Sequence, residues 1–287
     1  MIPGLRGAGL FSLIILFWAV GAAPAGDKTA ATLLVKDALT SPNEPARVEA
    51  QLTTNGLLSR VGLGGEPLEL VVDGKAVATA MTGGDGRAVL SYIPNRRGVV
   101  PVTVRVGNSP RVEPTEGTAD LVVWERRNPI VAVEMAALID EPSSQRVLPG
   151  VPLIKTGSEQ QPMPDAADEL GKLTRFYYRL IYVVSVPDGS DGFQTAAKAR
   201  EWLRTHKFPS GYVLVLPPGG SAWGEKLDEL HAGGWKTLKI GIGRSKAFAE
   251  AFLQRRLEVV IVPEPAKGEV PRKAKVAKEW KEVRKKL

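Results

Sequence analysis

Between Pro129 and Leu138 the apolar run Ile130-Val131-Ala132-Val133 gives way abruptly to Glu134-Met135-Ala136-Ala137-Leu138. Four consecutive apolar residues closed by an acid read as a strand buried on both faces that delivers a carboxylate at its C-terminal end. Such a strand needs helices on both sides of its sheet, and the chain that follows supplies them. Leu180–Ser185, Tyr212–Leu216, Thr237–Ile242 and Val259–Val262 are further apolar runs, separated by the helical stripes Ala166–Arg179, Gly192–Lys207, Trp223–Ala232 and Lys246–Arg256. This alternation predicts an α/β domain over residues 129–265, three layers deep around a parallel sheet. In open sheets of that kind ligands lie beyond the C-terminal strand ends, so Glu134 should face whatever site the domain has. Residues 139–168, rich in Pro, Gly, Ser and Gln, form the longest irregular stretch, and long insertions are usually functional or mobile.

The chain before Pro129 has a different rhythm. Short β-branched runs at Thr32–Val35, Ala46–Leu52, Leu68–Val72, Ala76–Thr82, Ala88–Ile93, Val99–Val106 and Ala119–Trp124 are spaced by turn residues and carry no helical period. About seven strands at this spacing predict an all-β sandwich over residues 30–126. Asp73-Gly74 reads as a tight hairpin turn, and Gly83-Gly84-Asp85-Gly86 as another positive-φ turn. Calcium at these Asp and Gly residues is the weaker reading, since turn chemistry accounts for them. The run from Pro67 to Lys75, followed by Gly86-Arg87-Ala88-Val89-Leu90-Ser91-Tyr92, resembles bacterial immunoglobulin-like domains of cell-surface and secreted proteins. That likeness implies a spacer or adhesive module and identifies no ligand. The charged cluster Glu125-Arg126-Arg127-Asn128, closed by Pro129, is the expected boundary and a short hinge.

Residues 1–25 pair Arg6 with an apolar core from Leu10 to Val20 and the small residues Ala23-Pro24-Ala25 before Gly26. The pattern is that of a secretory signal cleaved between Ala25 and Gly26, which places the mature protein in the periplasm or outside the cell. An uncleaved anchor over residues 8–25 is the competing reading, although the core falls short of the roughly 20 residues needed to span a bilayer. The chain has no Cys, which excludes disulfides, thiol chemistry and Cys-based zinc sites.

The formal charge of +7 is unevenly distributed. Arg272–Leu287 sets eight Lys or Arg against Glu279 and Glu282, Arg6 adds one more unit, and the body between is neutral overall. A basic stripe on the folded body, and with it a nucleic-acid partner, is therefore not expected. In residues 270–287, Val276, Trp280, Val283 and Leu287 share one helical face. They predict a basic amphipathic helix that either docks on its own domain or lies on an anionic membrane.

The second domain resembles the haloacid dehalogenase-like phosphatase superfamily, and within it the lipin-type and actin-patch phosphatidate phosphatase group. The likeness rests on the opening strand into Glu134–Leu138, the strand ending at Ser185, the stretch Arg200–Gly211 with its Lys207-Phe208-Pro209-Ser210-Gly211 run, Lys226–Leu230, and the strand-turn-helix Ile240–Lys246. It implies an aspartate nucleophile, a second aspartate two residues on as general acid, and a later acidic motif that holds magnesium. Here the first two positions are Glu134 and Ala136. Glutamate displaces its carboxylate by a methylene, a misplacement that can cost about 100-fold in rate, and alanine has no proton to donate. Moving the nucleophile to Asp140 puts Pro142 at the acid position. At the metal motif Gly243 is followed by Arg244, with Phe248 where another acid belongs, and a cation there opposes magnesium. The phosphate side of the likeness is kept by Ser185 and Lys226. One reading of the remainder is a metal-free anion site of Ser185, Lys226 and Arg244 near the helix that starts at Ser245. The structural alternative has Ser185 capping a turn, Lys226 exposed and Arg244 paired with Glu134.

Other motifs are weaker. Gly219-Gly220-Ser221-Ala222 lacks the second glycine of a nucleophile elbow, and Gly241-Ile242-Gly243 lacks the third glycine of a dinucleotide fingerprint. His206 and His231 read as exposed or locally bonded, and Trp202, Trp223 and Trp235 as packing residues. The sequence thus predicts a multi-domain, exported, non-catalytic protein without cofactor, whose degenerate phosphatase-like domain binds a protein, an envelope component or an anionic lipid headgroup. The alternative is a divergent magnesium-dependent phosphatase that uses Glu134 as nucleophile on phosphatidate or another phosphomonoester.

Overall fold

The computed structural model describes residues 28–56, 60–140, 160–186, 190–217, 221–265 and 270–287. The expected leader, its Ala25-Gly26 cleavage position and residues 141–159 of the irregular stretch lie outside them, as do Gly219-Gly220. Among the described residues no helix is long and apolar enough to cross a membrane.

The N-terminal part contains β1 (Thr32–Val35), β2 (Ala38–Thr40), β3 (Ala46–Asn55), β4 (Arg60–Gly62), β5 (Pro67–Val72), β6 (Lys75–Met81), β7 (Arg87–Tyr92), β8 (Gly98–Val106) and β9 (Glu116–Val123). One sheet joins β3 to β1, β4 and β7; the other runs β2-β9-β8-β5-β6. Alternation makes the sandwich: Ala46, Val48 and Ala50 of β3 are buried, while Arg47 and Glu49 between them face water. The Asp73-Gly74 turn that joins β5 to β6 has φ of 50° and 76°, and two successive positive φ values suit the right-handed twist of a hairpin. The short strands β2 and β4 carry too few residues to show a period in sequence.

The second part contains β10 (Ile130–Glu134), a 3-10 turn at Met135–Ala137, α1 (Ala166–Arg175), β11 (Arg179–Ser185), α2 (Gly192–Thr205), β12 (Tyr212–Leu216), α3 (Ala222–Ala232), β13 (Leu238–Gly243), α4 (Lys246–Gln254), β14 (Glu258–Ile261), β15 (Lys275–Val276) and α5 (Trp280–Lys286). Its sheet runs β12-β11-β10-β13-β14-β15 with every neighbouring pair parallel. Residues from α1, α2 and α5 bury one face, among them Leu170, Leu203 and Trp280, and Trp223, Phe248 and Phe252 of α3 and α4 bury the other. The chain leaves β10 in one direction through β11 and β12, then returns to β10's other side as β13. That reversal opens a crevice at the C-terminal ends of β10 and β13.

Each of the four helices α1 to α4 turns into its next strand through a residue at positive φ: Tyr177 (72°), Lys207 (58°), Gly234 (93°) and Arg256 (57°). At Lys207 and Arg256 paired backbone bonds close the helix end, Phe208 N–H to Leu203 O and Leu257 N–H to Phe252 O among them. Glycine takes this position without penalty, whereas a residue with a Cβ loses about 1–2 kcal/mol.

The C-terminal segment differs from the helix expected over residues 270–287. Lys275 and Val276 pair with β14 as a strand, and the helix is confined to Trp280–Lys286. Trp280 is 1% exposed and its Nε1 donates to Ala137 O at 3.1 Å, so the segment docks on its own domain. Burying an indole whose N–H finds a carbonyl outweighs laying a narrow apolar stripe on a membrane.

The expected hinge at Glu125–Pro129 is also corrected. Val122 and Trp124 are buried with Ile130, Trp235 and Leu238 of the second domain. Asn128 Oδ1 accepts from Glu125 N–H at 3.0 Å, and Thr237 Oγ1 donates to Arg126 O at 3.1 Å. Farther along the boundary, Asp37 accepts from Arg200 Nη1 (2.9 Å), Asp120 N–H (3.0 Å) and Val213 N–H (3.1 Å). Its carboxylate occupies the outer edge of β12, where an unpaired backbone donor would otherwise stand.

Candidate functional site at the switch point of the sheet

Glu134 ends β10 at the place where the strand order reverses, and its carboxylate crosses to the turn between β13 and α4. Oε2 accepts from the N–H groups of Arg244 (2.7 Å) and Ser245 (2.8 Å), and Oε1 accepts from Ser245 Oγ (2.5 Å). Ser245 Oγ in turn caps α4 by accepting from Phe248 N–H at 3.2 Å. A helix N-terminus with free backbone donors attracts an anion, and here the protein's own carboxylate fills that seat. Gly243 permits the approach: a Cβ there would lie 2.9 Å from Glu134 Oε2 and would strike the ring of Phe248. The pairing of Glu134 with Arg244 expected from the sequence takes another form. The backbone N–H of Arg244 meets the carboxylate, and its guanidinium Nη1 reaches Ile139 O at 3.4 Å.

Beside this seat a cleft of about 550 Å³ opens over the ends of β10 and β11. Glu134 and Ala136 form its inner wall and Ser185 the end of β11. The first turns of α2 add Gln194, Thr195 and Lys198, and Trp202 borders it farther along that helix. Asp191 sets the start of α2 by accepting Phe193 N–H at 3.1 Å, which fixes which face of the helix meets the cleft. Trp202 is held by its Nε1, which donates to Gln160 O at 2.8 Å. Hydroxyls, a carboxamide, one ammonium and an indole can bind a polar small molecule, but they include no free carboxylate and imidazole pair for proton transfer.

The candidate residues do not converge. Glu134 and Ser185 line the cleft, while Lys226 pairs with Glu229 at 2.8 Å and borders a separate hollow between the domains, beside Asp37 and Tyr212. Among the described residues no group of three or more His, Cys, Asp or Glu side chains is placed to hold a metal ion. His231 Nε2 lies 2.7 Å from Leu238 O, and the His206 ring meets Trp202 at a tilt of 55° with ring centroids 4.7 Å apart. Trp223 and Trp235 are buried in the core. Gln194 and Lys198 went unrecognised in the sequence because an i,i+4 polar pair opposite an apolar stripe is what any solvated helix face shows.

No family model and no curated protein matches this chain. Solved structures give weak likenesses. The D00-D0 domain of intimin matches 34% of the chain at 16% identity and a TM-score of 0.23, and the chain spans 50% of that protein's length. Titin domain M7 matches 34% of the chain and 98% of its own at 15% identity, with a TM-score of 0.25. A cycloisomaltooligosaccharide glucanotransferase from Paenibacillus sp. covers 82% of this chain and 53% of its own at 8% identity and a TM-score of 0.24. Immunoglobulin-like domains are thus among these weak neighbours, each matching about a third of the chain. The phosphatase likeness drawn from the sequence gains no support from these neighbours.

Proposed function

We propose that this is an exported, non-catalytic binding protein in which an immunoglobulin-like module is fused to a phosphatase-like α/β domain that has lost its chemistry. The observation that carries the reading is Glu134. A nucleophile in its place must aim an oxygen at phosphorus, whereas the Glu134 carboxylate is directed into the β13–α4 turn, where it accepts from the Arg244 and Ser245 N–H groups and from Ser245 Oγ. Alanine at position 136 supplies no acid, and Arg244 follows Gly243 where a magnesium ligand would be needed. The cleft beside Glu134 keeps its polar lining and is the domain's ligand site, for a small hydroxylated or singly anionic molecule. Lys198 supplies the positive charge that the phosphatase likeness assigns to Lys226.

An assay of the chain with a generic phosphomonoester and with phosphatidate, each with and without magnesium, tests this. No turnover above the rate without protein is the expected result. Magnesium-dependent turnover that disappears in Glu134→Ala, while the variant stays folded, would establish the divergent phosphatase instead.

A further inference from the structure

The body of the chain is neutral in sum, but its charges are segregated. The parallel strands begin at one edge of the sheet, opposite the Glu134 cleft, and the turns that feed them collect there. Those turns expose Arg175, Arg179, Lys207, Lys236 and Arg256, and the described residues give none of the five an ion-pair partner. Two acids at this edge are engaged, Glu125 with Arg97 and Arg127, and Glu258 with Lys275, while Glu201 lies one turn back along α2. Helix α5 adds to the cations. It runs parallel to α1, tied by Lys281 to Asp165 (3.2 Å) and by Arg284 to Glu169 (3.3 Å), which carries Lys285 and Lys286 toward the same edge.

At the tip of the α1–β11 turn, Phe176 is 61% and Tyr177 79% exposed. Tyr177, Lys207 and Arg256 each hold the left-handed conformation that glycine holds in the equivalent α3 turn at Gly234. The helix C-terminal dipole favours cations at two of these positions, but it gives no reason for an exposed tyrosine at the third. Strained residues persist where their side chains are used.

We infer that this edge is a docking surface for an anionic lipid bilayer, with Phe176 and Tyr177 entering the headgroup layer and the surrounding cations lying at phosphate depth. Aromatic rings with a polar rim settle at that depth, and each basic residue near an anionic surface strengthens binding by roughly fivefold. The expected export of the chain puts a membrane within its reach and nucleic acid out of it. The surface lies across the sheet from the cleft and does not depend on what the cleft binds.

The test is co-sedimentation of the full chain with vesicles of phosphatidylcholine containing a minor share of phosphatidylglycerol. Pure phosphatidylcholine vesicles report whatever the apolar segment Leu10–Val20 contributes. Preference for the anionic vesicles is expected, falling by roughly 100-fold in Arg175→Gln/Lys207→Gln/Arg256→Gln. Tyr177→Gly, which relieves the backbone, should bind anionic vesicles more weakly than the parent while unfolding at the same or a higher temperature. Equal binding to both vesicle types, or a triple variant that binds like the parent while still folded, overturns the proposal. So does retention on single-stranded RNA without binding to vesicles.

Discussion

Arg200 Nη1 lies 2.9 Å from Asp37 Oδ1 across the boundary between the two domains, and the two side chains are only 7% and 0% exposed. The same guanidinium donates to Val35 O and Thr118 O, so it is bound to two chain segments of the sandwich, residues 35–37 and β9. Burial pushes the Asp37 carboxyl above its ordinary value, and Arg200 with the Asp120 and Val213 N–H groups pulls it back. A pair this enclosed fixes orientation more surely than it adds stability, because the cost of desolvating both ions offsets much of their attraction.

Removing one partner should therefore be far worse than removing both. Asp37→Ala leaves a buried guanidinium uncompensated and is expected to cost about 3–5 kcal/mol. It should also separate the unfolding of the two domains, which the shared core around Trp124 otherwise joins. Asp37→Leu/Arg200→Met should recover the part of that loss due to the unpaired guanidinium, but not the part due to the Asp120 and Val213 N–H groups, which stay without an acceptor. Denaturant titration followed by tryptophan fluorescence and by circular dichroism checks both statements, and non-additivity between the single and double variants is the deciding quantity.

Glu134→Ala strips the β13–α4 turn of its acceptor and leaves the Arg244 and Ser245 N–H groups without their partner. A loss of about 1–3 kcal/mol is expected. Glu134→Gln retains one acceptor oxygen and should lose less. Thermal unfolding of the two variants measures the difference. Equal stability of Glu134→Ala and the parent would show that the carboxylate is not structurally required.

Glu169 gives the molecule an acid-sensitive contact. Burial raises its carboxyl, but hydrogen bonds and charge from Lys172 and Arg284 outweigh that and hold it below its ordinary value. A depressed carboxyl stabilises the fold above the unfolded value of 4.5 and loses that contribution as pH falls through the folded value. Glu169→Gln should accordingly be less stable than the parent at neutral pH and show a flatter decline on acidification. Melting temperatures measured from neutral pH down to the acid transition check it.

Trp280→Ala should cost about 3–5 kcal/mol, the range for truncating a buried indole. It should also raise hydrogen exchange at Met135–Ala137, because Trp280 Nε1 holds Ala137 O beneath the cleft. Deletion of α5 with unchanged thermal stability would contradict the docked arrangement.

The order of helices and strands after Pro129 was legible because its signals are local. Buried strands read as apolar runs, and α2 and α4 begin at caps, Asp191 and Ser245, whose side chains bond within their own first turns. The tight Asp73-Gly74 turn was legible for the same reason. The candidate site was only half legible. Glu134 and Ser185 could be placed at strand ends, which the parallel sheet brings to one edge, but Lys226 could not be placed by a family likeness. It lies on α3, on the far side of β12, paired with a neighbour on its own helix.

Contacts between distant segments left no mark in the sequence. Asp37 and Arg200 are 163 residues apart and neither has a neighbour that marks it as buried. Net charge, likewise, is a sum without direction, and a neutral body can still carry one cationic edge. The sequence by itself determined the periodicities, caps and turns, hence two domains of different class with an acid at the head of the central strand. Only the tertiary structure decided that this acid is consumed in closing α4, that the domains share a core, and that the cations of four separate turns meet on one side. Periodicity is set by backbone geometry a few residues at a time, whereas burial, pairing and charge segregation depend on which segments the fold brings together.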